Sequence, residues 1–143
     1  MNSVVSWLLV CAGVAQMILG AAHAYLPRML HWNTDLAATS DITQAVSYVH
    51  SFFIGFMVFA MGLGSVVLRH DLLTEPRLGR VLAGFLAVFW CCRLLTQITV
   101  FRPVMSQLPG APWLQWVGLA GWAGLTVIYA STFVLNLTVS LQV

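Results

Sequence analysis

Lysine is absent from this sequence, and charge of either sign is scarce. Six arginines stand against four acids, and charged residues make up 7% of 143. A soluble domain carries roughly 25% charged residues to cover its surface. With 60% apolar residues and a mean hydropathy of +0.91, most of this exterior calls for lipid as its solvent. The net charge of +2 is thinly spread, which excludes a nucleic-acid partner recognised through a basic surface. Cys-x-x-Cys is absent too, so neither a thioredoxin-type centre nor a zinc framework is written here. Cys11, Cys91 and Cys92 fall within apolar runs and read as small buried packing groups. Ala22-His23-Ala24 imitates a signal cleavage site, but no Lys or Arg precedes it. The basic region of a secretory signal is missing, and the first apolar run reads as a retained span.

What is present is a set of four apolar runs: Val4 to Leu26, Gln44 to Leu68, Leu78 to Val100 and Trp113 to Leu137. Each approaches or exceeds the ~20 residues that cross a bilayer. Lipid admits only helices or closed barrels, and runs of this length without alternation are helices. The breaks agree with them. Pro27, the polar stretch from Asn33 to Asp41, Arg69 to Arg77, and Arg102-Pro103 with Pro109 to Pro112 separate the runs. Ser40 or Asp41 is placed to cap the second helix. The expectation is an all-α, single-domain (1–143), four-helix transmembrane bundle. Its spans are about 4–26, 44–68, 78–100 and 113–137, with both termini on one side.

Arg69, Arg77 and Arg80 fall on the side of the termini, while Arg28 and Arg102 fall on the other. Together with the amino terminus, this bias favours a cytoplasmic location for both ends. On that reading the Asn136-Leu137-Thr138 sequon is accidental, since it lies at a cytoplasmic helix end. Small residues recur at four-residue spacing in Gly79, Ala83, Ala87 and Cys91, in Ser47, Ser51 and Gly55, and in Ala120 with Gly124. Such rows let helix backbones approach closely, within the chain or against other subunits.

Polar groups inside a membrane are costly, so each calls for a reason. Gln16, His23, His50, Arg93 and Gln97 are the deep ones. Counted at ~1.5 Å per residue from the span ends, His23, His50, Arg93 and Gln97 fall within roughly 5–11 Å of the non-cytoplasmic boundary. Gln97 follows Arg93 by one helical turn, so the two share a face. Gly13, Gln16, Gly20 and His23 form a small and polar stripe on the first helix. His31, Trp32 and Asp35 lie in the adjoining loop, and Arg102, Trp113, Gln115 and Trp116 lie near the same boundary. The Trp residues suit an aromatic belt at headgroup level.

For this constellation the chemistry admits several ligands. Two membrane His residues can ligate haem, but helices joined by a short loop pack ~8–10 Å apart, which leaves little room for a porphyrin. A metal ion fits His23 and His50 more easily, with His31 or Asp35 as a third ligand, though a guanidinium at the same depth repels a cation. His, Arg and Gln together suit an oxygen-rich or anionic group: a quinone carbonyl, a carboxylate or a lipid phosphate. The expectation is a periplasmic-side pocket of His23, His50, Arg93, Gln97 and Gln16 that binds a quinone or similar ligand in a redox role. A non-catalytic accessory subunit of a larger membrane complex is the competing class, and a dimeric transporter is a third. Membrane lipid, a second copy and other membrane subunits are the partners these readings imply. The residues assign no reaction.

Phe89-Trp90-Cys91-Cys92-Arg93-Leu94-Leu95-Thr96-Gln97, followed by Val100-Phe101, resembles a signature of an uncharacterised family of small four-helix bacterial integral membrane proteins. The likeness extends to His23, Pro27-Arg28, Trp32 and Val49-His50. Arg102 departs from it, standing where an acidic residue often follows the Val-Phe pair. The resemblance implies a bacterial source, hence the cytoplasmic membrane, and a four-span fold. It implies no activity.

Overall fold

The computed structural model describes residues 3–105 and 112–140, and every long element in it is helical. The order is α1 (Ser3–Ala22), α2 (Leu26–Met29), α3 (Trp32–Asp35), α4 (Asp41–Val67), α5 (Asp71–Thr74), α6 (Pro76–Thr96), a π-helical turn (Gln97–Phe101), α7 (Arg102–Met105) and α8 (Pro112–Ser140). No strand occurs among the described residues. Four stretches are long and apolar enough to cross a membrane: Ser3–Ala22, Asp41–Val67, Pro76–Met105 and Gln115–Thr138. Pro109, Gly110 and Ala111, expected to break the chain before the last helix, lie outside the described residues.

The ends of these helices have local causes. α1 stops at Ala22 rather than Leu26 because the backbone tightens into i→i−3 bonds. His23 N–H donates to Gly20 O (3.2 Å), Ala24 to Ala21 (3.1 Å) and Tyr25 to Ala22 (3.0 Å), as at many helix C-termini. Ser40 Oγ accepts from the backbone N–H of Thr43 (3.4 Å) and bonds the Thr43 hydroxyl (2.9 Å), so Ser40 caps α4. Pro76 occupies the first turn of α6, where its missing N–H costs nothing. The third stretch, expected from sequence to end at Val100, continues to Met105. Pro103 cannot donate to the carbonyl of Thr99; just before it the helix widens, and Arg102 N–H reaches Gln97 O.

The chain resolves into two compact units, Val10–Val67 and Met1–Leu9 with Leu68–Val143. In the first, α1 and α4 run antiparallel along a glycine seam. A Cβ at Gly13 would stand 2.6 Å from Gly62 O, and one at Gly20 would stand 2.6 Å from Gly55 O. Only glycine permits backbones this close. Gln16 is fully buried on this seam, its Cβ side against Gly62, and its amide donates to Ala12 O (3.1 Å). The stripe expected on the first helix thus faces α4.

The second unit is organised by α6 packed on α8. Gly79, Ala83, Leu86 and Trp90 of α6 are buried, as are Leu125, Tyr129, Thr132 and Asn136 of α8. Asn136 donates to Leu72 O of α5 (2.9 Å) and to Thr132 O (2.8 Å). At 3% exposure its amide is buried in the fold.

Three packing expectations need correction. Cys11, Cys91 and Cys92 are exposed rather than buried, because the contact stripes run through glycine, alanine and larger apolar residues instead. The row on α6 follows Gly79 and Ala83 but then passes to Leu86 and Trp90, leaving Cys91 outside. On α8, Ala120 and Gly124 are exposed, and a Cβ at Gly124 would meet nothing. Among the described residues that row is left exposed.

Candidate functional site

The polar residues singled out in the sequence divide between the two units. His23, His50 and Gln16 belong to Val10–Val67, and Arg93 and Gln97 to the other.

His23 sits in the turn that ends α1. Its backbone N–H has turned to Gly20 O, and its Nδ1 covers the carbonyl of Leu19 at 2.8 Å. A late helical carbonyl has no onward partner of its own, and His commonly supplies one. A carbonyl only accepts, so in the neutral ring the proton is on Nδ1 and Nε2 carries the lone pair. The imidazole packs against Gly55: a Cβ there would lie 2.7 Å from that of His23. Beside it lies a groove of about 400 Å³ between the end of α1 and the first half of α4. Gly20, His23, Pro27, Tyr48, Ser51 and Phe52 line it, with Phe56 and Phe59 further along. Tyr48 is held edge-on by Trp32, with ring centroids 5.6 Å apart, which ties the α3 segment to the groove wall.

Ser51 has an unusual position in this groove. Helical serines in apolar surroundings generally donate back to the carbonyl four residues earlier, as Ser47 and Ser65 do here. Ser51 is 6% exposed, and its Oγ is buried without a hydrogen-bond partner. A buried hydroxyl left unmatched costs roughly 1–3 kcal/mol, so this one marks a place where a partner is wanted.

His50 occupies a different place. It is exposed and lines a depression of about 430 Å³ with Ala45, Val46, Val49 and Phe53, all on α4. At about 100° per residue, that face lies opposite the one bearing Ser51, Gly55, Val58, Gly62 and Ser65, which is buried. Gln16 lies further along the seam, outside both grooves. His31, in the left-handed conformation (φ 52°) before α3, lines neither. Among the described residues, no three His, Cys, Asp or Glu side chains gather as a metal ligand set.

In the second unit Arg93 and Gln97 come together. Arg93 Nη1 donates to Gln97 Oε1 at 3.1 Å, and Trp122 Nε1–H donates to the same oxygen at 3.3 Å. Gln97 Nε2 points to Met105 Sδ at 3.9 Å. The guanidinium lies 4.7 Å from the Trp122 ring centre and 4.8 Å from that of Phe101. Trp122 stacks on Trp90 at 5.4 Å and 8°. No carboxylate lies within ion-pair distance of Arg93 among the described residues; aromatic faces and an amide oxygen hold its charge. Arg102 lies 5.9 Å from the ring of Trp116, which extends the same pattern toward the helix end.

Sequence reasoning missed Ser51 as a polar group, the aromatic wall of Tyr48, Phe52, Phe56 and Phe59, and the partnership of Trp122 and Phe101 with Arg93. Comparison of the chain with family models, curated proteins and solved structures gives no match.

Proposed function

We propose that the chain is a four-span bundle of a bacterial cytoplasmic membrane, both termini facing the cytoplasm, and that its His23 groove binds a small ring-bearing ligand of the quinone class. Four helices of spanning length and the excess of arginine between the second and third of them support the insertion. The family resemblance supports the bacterial setting.

One observation carries the ligand: the buried, unpartnered hydroxyl of Ser51, in an aromatic groove that also holds His23. An apolar cleft of this volume with a few convergent polar groups is the usual form of a small-molecule site. Tyr48, Phe52, Phe56 and Phe59 supply faces for a flat ring, Ser51 supplies a hydroxyl for one of its oxygens, and His23 supplies an acceptor for a ring hydroxyl. Arg93 and Gln97 bind one another and the rings about them, and the reading does not depend on them. A second observation favours association: Ala120 and Gly124 form a small-residue row on α8 that is exposed among the described residues. Such a row suits a helix of another copy or of another membrane subunit.

The test is chemical. The full chain is extracted into native-lipid particles, and its bound quinones are quantified by mass spectrometry. Wild type retains the couple, counted as quinone plus quinol, in stoichiometric amount, whereas Ser51→Val and His23→Leu lose most of it while keeping helicity and elution volume. Quinone content at the level of bulk lipid in the wild type defeats the reading.

A further inference from the structure

We infer that the groove discriminates between redox states, holding the hydroxyl-bearing quinol more tightly than the quinone. This rests on the groove being a quinone-class site and specifies which form it selects. A quinone presents carbonyl oxygens, which only accept; a quinol presents hydroxyls, which donate and accept. His23 gives its Nδ1 to Leu19 O at 2.8 Å, so the neutral ring has only the lone pair of Nε2 left to offer. A carbonyl against that lone pair sets acceptor against acceptor. A hydroxyl makes a hydrogen bond. Ser51 Oγ, buried and unpartnered on the same groove, accepts or donates as required and so accommodates either form. The discrimination therefore resides in His23. Its origin is local: the turn that sends the His23 N–H to Gly20 leaves Leu19 O for the imidazole, and that bond fixes the tautomer.

The same geometry sets the direction of an equilibrium. A site that prefers the quinol raises the midpoint potential of the bound couple, in which a quinone takes up two electrons and two protons. A tenfold preference corresponds to about 30 mV for a two-electron couple.

The experiment uses the purified full chain in lipid nanodiscs with a decyl-substituted benzoquinone and its reduced hydroquinone. Binding is measured anaerobically by equilibrium dialysis. The hydroquinone is expected to bind about tenfold more tightly, with the bound couple shifted upward by the corresponding potential. His23→Gln, which returns a donor to the groove, reduces the preference to about twofold or less, and Ser51→Val weakens both forms alike. Equal affinities in the wild type, or tighter binding of the quinone, overturn the inference while leaving the groove as a quinone site. Preference undiminished in His23→Gln overturns it as well. Failure of both forms to bind overturns the groove reading and this inference with it.

Discussion

The two helix pairs treat their polar groups in opposite ways. Along α6 and α8 they are matched to one another: Arg93 with Gln97, Trp122 with Gln97, and Asn136 with the carbonyls of Leu72 and Thr132. Trp90 Nε1 is the exception, buried without a partner. Along α1 and α4 the backbones themselves touch through glycine. At the open end of that seam Ser51 and His23 line a groove, the Ser51 hydroxyl buried and without a partner. Matched polar groups hold helices together. An unmatched hydroxyl beside a cavity points to something that arrives later. The cluster richer in charge and aromatic rings is matched within itself, and the plainer groove is the one proposed above as the site.

This contrast can be broken in four places, each measured as a change in unfolding free energy in a detergent titration followed by circular dichroism. Gly62→Val forces side-chain atoms into the carbonyl of Gly13, where a Cβ would already stand 2.5 Å away. It costs about 3 kcal/mol and empties the groove as the seam opens. Trp122→Leu removes the stack on Trp90, the ring over Arg93 and the bond to Gln97. It costs about 2–3 kcal/mol and leaves quinone content in the folded fraction unchanged. Asn136→Ala uncovers the buried carbonyl of Leu72 and costs about 1–2 kcal/mol, again without effect on the ligand. Ser51→Val loses no stability and gains up to about 1–2 kcal/mol, because an unmatched buried hydroxyl is removed, yet lowers ligand affinity five- to tenfold. A marked loss of stability in Ser51→Val, or loss of quinone in Trp122→Leu, would erase the distinction between the pairs.

The spans were legible because hydrophobic length is a property of the sequence itself. Their ends were less so. The early stop of α1 depends on three i→i−3 bonds, and the passage of the third helix beyond Val100 depends on how the backbone accommodates Pro103. The pairing of Arg93 with Gln97 followed from four-residue spacing. Trp122, from another helix, followed from nothing local. Depth alone groups His50 with His23, yet depth leaves azimuth open: the two residues line separate grooves. A usable signal was present. Gly13 and Gly20 are spaced as Gly55 and Gly62 are, and two antiparallel helices meeting at both pairs place His23 beside Ser51 and Gly55. The missing bond of Ser51 had no trace in the sequence, since a hydroxyl's partner is a matter of three-dimensional surroundings.

The π turn between Gln97 and Phe101 has a consequence for how this stretch is reached by mutation. A regular helix advances about 100° per residue, so eight residues would carry Phe101 some 80° around the axis from Arg93. One extra residue absorbed in the wide turn sets the phase back by about one such step, and both side chains return to nearly the same azimuth. Phe101 can then lie over the guanidinium, and Met105 can meet Gln97. The clasp around Arg93 is thus held by angular timing as much as by side-chain identity. Winding the turn back into regular helix at unchanged length would dismantle it while leaving every one of its participants in the chain; deleting one residue of the turn along with the widening would keep the phase.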